Sequence, residues 1–143
     1  MQNITFKEGP LNEKDQQRLA DGFTRVSIDN HAPTYEKKTI NWLIHDDQGQ
    51  LISALTAKLL WDWLYIDELW VDETLREQGM GSQLIHKAEA FARAESLTGL
   101  WLWTQSWYAE GFYKKQGYDE FTRFEDFPKG HARIGLRKLC TKL

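Results

Sequence analysis

The stretch from residue 69 to 82, LWVDETLREQGMGS, does most to limit what this chain can fold into. An apolar strand end, Leu69-Trp70-Val71, runs into a charged loop over residues 72–77, and Gln78-Gly79-Met80-Gly81-Ser82 then opens an amphipathic helix. A strand, a glycine turn and a helix start suit an anionic group. Two glycines allow close backbone approach, and the first free N–H groups of the helix point outward. Leu84, Ile85, Ala88, Phe91 and Ala92 form the apolar stripe, with Gln83, Lys87, Glu89, Arg93 and Glu95 falling mostly elsewhere. Thr98-Gly99 stops the helix, and LWLWT at 100–104 reads as a strand. Strand, helix and strand make a βαβ unit, so its two strands are expected to be parallel.

The rest of the chain wraps this unit with antiparallel hairpins. Ile4 and Phe6 alternate with polar residues, which predicts a first strand over 3–8. Asn12 caps a helix over 12–27, whose stripe is Leu11, Leu19, Phe23 and Val26. Strands follow at 38–46 and 50–60, joined at Asp47-Gln48-Gly49, and the fourth covers 64–71. A short helix at 107–116 ends at Gly117, and two paired antiparallel strands occupy 118–124 and 131–139. At 143 residues this reads as one domain, residues 1–143, of α/β (α+β) class. Its central sheet is mixed and mostly antiparallel, with about seven strands, one parallel pair (the fourth and fifth) and helices on both faces.

Composition removes several function classes. The net charge is −3, so nucleic acid is not an expected partner. No apolar run approaches the roughly 18 residues that span a bilayer, and the N-terminus lacks a basic-then-apolar signal pattern. These features predict a cytoplasmic, soluble chain with no membrane association. The single cysteine, Cys140, excludes an internal disulfide and reads as a spectator thiol. No His pair or His–carboxylate pair stands at i, i+4 on a helix, so no metal is expected.

Which anion the glycine turn holds is decided by its flanks. Gly79-x-Gly81 lacks the third glycine of a dinucleotide fingerprint, and no Gly-Lys-Ser/Thr follows as in a Walker loop. A tight turn with no ligand remains open on the glycines alone. However, Arg76-Glu77-Gln78-Gly79-Met80-Gly81 resembles the R/Q-x-x-G-x-G/A motif of the GCN5-related N-acetyltransferase (GNAT) family. The segment from Ser106 to Tyr118, SWYAEGFYKKQGY, resembles that family's N-x-x-A-x-x-(F/L)-Y-x-K-x-G-(F/Y) signature. The resemblance covers about residues 50–120 in matching order and spacing.

The resemblance implies a donor, acetyl-CoA, and a direct transfer to an amine. Its pyrophosphate would lie on the backbone of Arg76, Glu77, Gln78, Gly79, Met80, Gly81 and Ser82. A β-bulge and a splay would let pantetheine pair with Leu69, Trp70 and Val71 like an extra strand. An N–H of this strand would receive the thioester carbonyl. Ser106 stands where many members carry a cofactor-binding Asn. Tyr113 matches the signature tyrosine and would donate to the departing sulfur; Tyr108 is the alternative. Glu68 and Asp67 are the candidates for relaying the amine proton and holding a cationic acceptor, one on each face unless a bulge disturbs the alternation. In reversed order they resemble the Glu-Asp of spermidine/spermine acetyltransferases.

The acceptor is less well specified. His31, in the loop after the first helix, and His131 are candidates to line its pocket, and Trp61 and Trp63 to wall it. His45 and His86 read as surface residues. Trp101 and Trp103 share a strand face and are expected to pack a helix. A small-molecule primary amine is the expected acceptor. A protein amine is the alternative, and so is a non-catalytic acyl-CoA sensor. The last two strands are candidates for a homodimer interface.

Overall fold

The computed structural model describes residues 2–143. The chain divides into two compact units, Met1–Tyr35 and Glu36–Leu143, each described by itself. In the first, residues 2–8 form no strand, which corrects the expected strand at 3–8. Two alternating apolar residues are a weak pattern, and a strand exists only where a partner takes its backbone hydrogen bonds. Helix α1, Glu13–Asp29, begins where Asn12 accepts the Asp15 N–H at 2.7 Å. Leu11, Leu19, Phe23 and Val26 gather along one side of it.

The second unit is a six-stranded sheet, so one strand fewer than the expected seven. Its strands are β1 Lys37–His45, β2 Leu51–Leu60, β3 Trp63–Val71, β4 Gly99–Gln105, β5 Asp119–Glu125 and β6 Ala132–Leu139, in the order β1-β2-β3-β4-β6-β5. Only β3 and β4 are parallel, as the βαβ unit requires. Helix α2, Met80–Ala94, forms that crossover, and α3 is the short helix Glu110–Lys115.

One core organises the unit. Leu84, Ile85, Ala88 and Ala92 of α2 and Tyr113 of α3 pack on Leu55, Ala57, Leu64, Ile66, Leu100, Leu102, Ile134 and Leu136. Alternation along each strand puts these residues on one sheet face, so α2 and α3 share that face. The opposite face carries an aromatic row. Trp101 packs on Tyr65 at 4.5 Å and on Phe121 at 6.3 Å, and Trp103 also packs on Phe121. Glycine is required at two positions here. A Cβ on Gly135 would lie 2.6–3.0 Å from Thr122 and the Phe121 ring, and one on Gly99 would lie 2.6 Å from the Lys138 carbonyl.

No helix among the described residues is long and apolar enough to cross a membrane. His45 and His86 are exposed. Cys140 is partly buried, and that burial raises its thiol above the ordinary value, which disfavours the thiolate.

Candidate active site

The site begins where β3 and β4 part. Their parallel ladder runs from Trp63↔Gly99 only to Ile66↔Leu102. Beyond it, Glu68 to Val71 continue to pair with β2 alone, and residues 103–105 with β6 alone. At the same point β3 bulges. Ile66 opposes Ala57 and Glu68 opposes Thr56, which leaves Asp67 as the extra residue. A bulge adds twist and resets side-chain alternation. Its effect is visible in two contacts. Thr56 Oγ1 donates to Glu68 Oε1 at 2.9 Å, and Lys58 Nζ lies 3.0 Å from Asp67 Oδ2. Thr56 and Lys58 are alternate residues of one strand, so both carboxylates share a face. The alternative in which they lie on opposite faces is thereby corrected.

On the helix side of the splay is a cavity of about 270 Å³ lined by Leu69, Val71, Arg76, Gly81, Tyr108, Ala109 and Phe112. Trp70, between the two lining residues of β3, turns away and is 40% exposed. The glycine turn is built as the sequence suggests. Glu77 and Gly79 take positive φ, 66° and 81°, and bring the chain sharply into α2. No side chain caps the helix, and its first internal bond is Gln83 N–H to Gly79 O. The N–H groups of Met80, Gly81 and Ser82 therefore stand at the positive end of the helix without a helical acceptor. Glu77 and Gln78 are exposed beside them. A Cβ on Gly81 would meet Phe112 at 3.5 Å and Val71 at 3.9 Å, ordinary contacts that leave little further room toward α3. Arg76 Nε donates to Val71 O at 3.2 Å, and Gln116 Nε2 donates to Ser82 Oγ at 2.8 Å.

A second cavity, about 470 Å³, is lined by Tyr65, Asp67, Trp103, Thr104, Gln105, Trp107, Tyr108, Phe127 and Arg133. Tyr108 lines both cavities, so they adjoin at this residue. Burial and the Asp67 charge hold the Tyr65 phenol above its ordinary value, against Arg133 and Lys58. Near the same strand end, Thr104 Oγ1 and Gln105 Oε1 are sealed without a hydrogen-bond partner among the described residues.

The remaining sequence candidates fall as follows. Tyr113 is buried behind Phe112, with edge contacts to Phe112 at 5.2 Å and Tyr118 at 5.7 Å, and lines neither cavity. Burial above all, then Tyr108, raises its phenol far above the ordinary range. Ser106 Oγ accepts the Ala132 N–H at 3.0 Å, and its own N–H donates to Ala132 O, so it fastens β4 to β6. Trp63 stands four residues before Asp67, about 13 Å along the strand. It lines a different cavity with Trp101, Phe121 and Arg137. His31 takes φ 56° in the turn closing α1, in the separately described first unit. His131 meets the Trp107 ring at 4.8 Å.

Sequence reading missed Trp103, Gln105, Trp107, Phe127 and Arg133 as cavity residues. Trp103 and Gln105 alternate on β4, and Gln105 faces Arg133 across the β4–β6 ladder. That pattern was legible only once the pairing was known. Trp101 and Trp103 were expected to pack a helix; Trp101 packs on Tyr65 and both pack on Phe121, and Arg133 stacks on Trp103.

Comparison with known proteins agrees with this architecture. Residues 11–118 match the Acetyltransferase (GNAT) family. The blasticidin-S acetyltransferase of Streptomyces morookaense is 40% identical over 85 residues, which are 59% of this chain and 62% of that protein. The chain thus matches less than two thirds of that relative's length. An acetyltransferase from Bacillus cereus ATCC 14579 superposes with TM-score 0.78 at 27% identity, over 95% of this chain and 97% of that one. A candidate streptothricin acetyltransferase from Bacillus anthracis str. Ames, solved with acetyl coenzyme A, has the same fold. Its TM-score is 0.63 at 24% identity, over 71% of this chain and 62% of that one. With most of its length matched by the family, the chain belongs to the acetyltransferases of the GNAT family.

Proposed function

We propose that this protein transfers the acetyl group of acetyl-CoA directly to the primary amine of a small molecule. The observation that carries the proposal is the splay itself. It leaves an unpaired strand edge between two cavities that share Tyr108. The residues present fit the donor. The uncapped start of α2 offers N–H groups to a pyrophosphate, and the free edge of β3 offers backbone to an amide-bearing chain. Leu69, Val71, Ala109 and Phe112 supply apolar walls.

The chemistry asked of the protein is modest. The amine nitrogen bonds to the acetyl carbon, the carbon–sulfur bond breaks, one proton leaves the amine and one reaches the thiolate. Glu68, exposed and oriented by Thr56, is the proposed proton acceptor, directly or through water. A phenol is the proposed donor to sulfur. The motif favours Tyr113, whose raised value keeps it protonated at working pH. Tyr108 is its competitor because it stands where the cavities meet. The 40% identical relative named for blasticidin S supports a small-molecule acceptor.

A non-catalytic acyl-CoA sensor is the second reading, favoured by one observation: the Ser106 hydroxyl accepts from Ala132 beside the cleft. Release of free CoA thiol from acetyl-CoA with a panel of amines separates the two. Amine-dependent release that drops on Tyr113→Phe or Tyr108→Phe supports transfer. Acetyl-CoA binding with no release for any amine supports the sensor.

A further inference from the structure

The cavity that meets the donor cleft carries one lining cation, Arg133, and its position bears on the acceptor. The ion pairs of the Glu36–Leu143 unit engage Lys58, Lys114, Arg123, Lys138 and Lys142; Arg133 joins none among the described residues. The one carboxylate in the lining, Asp67, is already matched by Lys58 at 3.0 Å. Arg133 is therefore the lining charge without an ion-pair partner among the described residues, in a pocket where the sequence had suggested a cationic amine or an amino acid derivative as acceptor.

The guanidinium is also held in place. It lies over the Trp103 ring at 4.7 Å and the Phe127 ring at 5.7 Å. Phe127 comes from the β5–β6 loop, and Gln105 Nε2 fastens that loop by donating to the Phe127 carbonyl at 3.2 Å. Gln105 and Arg133 are direct partners in the ladder, so anchor and guanidinium lie side by side. Aromatic stacking engages the faces of a guanidinium; on its N–H edge Arg133 meets the Tyr65 hydroxyl as a hydrogen-bond neighbour, and the other N–H groups of the fork have no carboxylate partner among the described residues. A planar fork held this way, with little rotamer freedom to lose, matches a carboxylate.

We propose that Arg133 is a specificity-determining residue that receives a carboxylate of the acceptor, so that the preferred substrate is a small amine bearing a carboxylate. The proposal rests on the acetyl-transfer reading for its substrate language, but Arg133 binding is testable without turnover.

The test uses 4-(aminomethyl)benzoate and 4-(aminomethyl)benzamide, which have a common ring and amine and differ in the carboxylate. For the unmodified protein, kcat/KM should favour the benzoate by about tenfold or more, the scale of a charge-assisted bidentate pair. Arg133→Gln should bring that ratio to near one. A ratio near one in the unmodified protein, or a ratio unchanged by Arg133→Gln, overturns the proposal. Calorimetric titration of the benzoate into both proteins reads the same contact without turnover. Weaker binding by the variant supports it, and equal or no binding overturns it. If neither amine is acetylated while the benzoate binds through Arg133, the carboxylate site stands and the transfer reading is decided by the wider amine panel. Retained thermal protection by CoA checks that the variant is folded.

Discussion

Lys138 Nζ lies 3.0 and 3.2 Å from the two carboxylate oxygens of Glu89, in a pair that is 14% and 6% exposed. The same ammonium donates to the Gln116 carbonyl at 2.7 Å, at the end of α3. One side chain of β6 thus fastens α2 and the end of α3 together. Removing one partner would leave the other charge buried without a counter-ion. Glu89→Ala is expected to cost about 3–5 kcal/mol of stability. The double change Glu89→Leu, Lys138→Met should cost clearly less. Urea unfolding of the three proteins measures the difference, and equal losses would deny the pair its role.

Tyr118 is buried with a hydroxyl that has no hydrogen-bond partner among the described residues. Tyr118→Phe removes that unsatisfied group and should leave stability at pH 7 unchanged or raise it by up to about 1 kcal/mol. The Phe ring can keep the 5.6 Å contact with the Lys138 ammonium.

The same phenol gives a signed pH dependence. Burial raises both Tyr113 and Tyr118 far above 10.0. The native state therefore stays protonated while the unfolded chain ionises near the ordinary value. This contribution is complete below about pH 10 and is lost as pH climbs toward the raised values, at up to about 1.4 kcal/mol per pH unit for each tyrosine. Denaturant midpoints from pH 9 to 11 should fall less steeply in Tyr118→Phe than in the parent protein.

At the glycine turn, size and charge separate. Gly81→Ala places a methyl in ordinary contact with Phe112 and should keep most of the thermal protection given by CoA. Gly81→Glu brings a carboxylate to the uncapped helix start, where it would oppose the pyrophosphate, and should abolish that protection. A thermal shift with and without CoA decides it. Protection unchanged in Gly81→Glu would remove the turn as the anion site.

Glu68→Gln keeps the shape and a hydrogen bond with Thr56 but removes the proposed proton acceptor. The loss of kcat/KM should be greatest at low pH, where the amine is mostly protonated, and should shrink as pH rises. A parallel shift of the whole pH–rate curve would mean that Glu68 only positions the acceptor.

Local pattern carried most of the architecture. Asn12 and Asp15 marked the start of α1, the stripe from Leu84 to Ala92 marked α2, and Gly79 with its positive φ marked the turn between β3 and α2. These features depend on neighbours within one or two turns. Where tertiary pairing intervened, local pattern failed. Ile4 and Phe6 alternate like a strand but pair with none. Glu89 falls off the apolar stripe in the sequence, yet it is buried, with Lys138, 49 residues away, as its partner.

The amino-acid sequence by itself determined the half proposed to hold the donor: a parallel βαβ unit, a glycine turn and an uncapped helix start are consequences of contiguous residues. The half proposed to hold the acceptor was decided by tertiary structure. Asp67 and Glu68 share a face because one bulged residue resets the alternation against β2. Arg133 reaches the cavity because the register of β6 sets it opposite Gln105, beside Trp103. Strand register joins residues far apart in the chain, and no local spacing encodes which of them will meet.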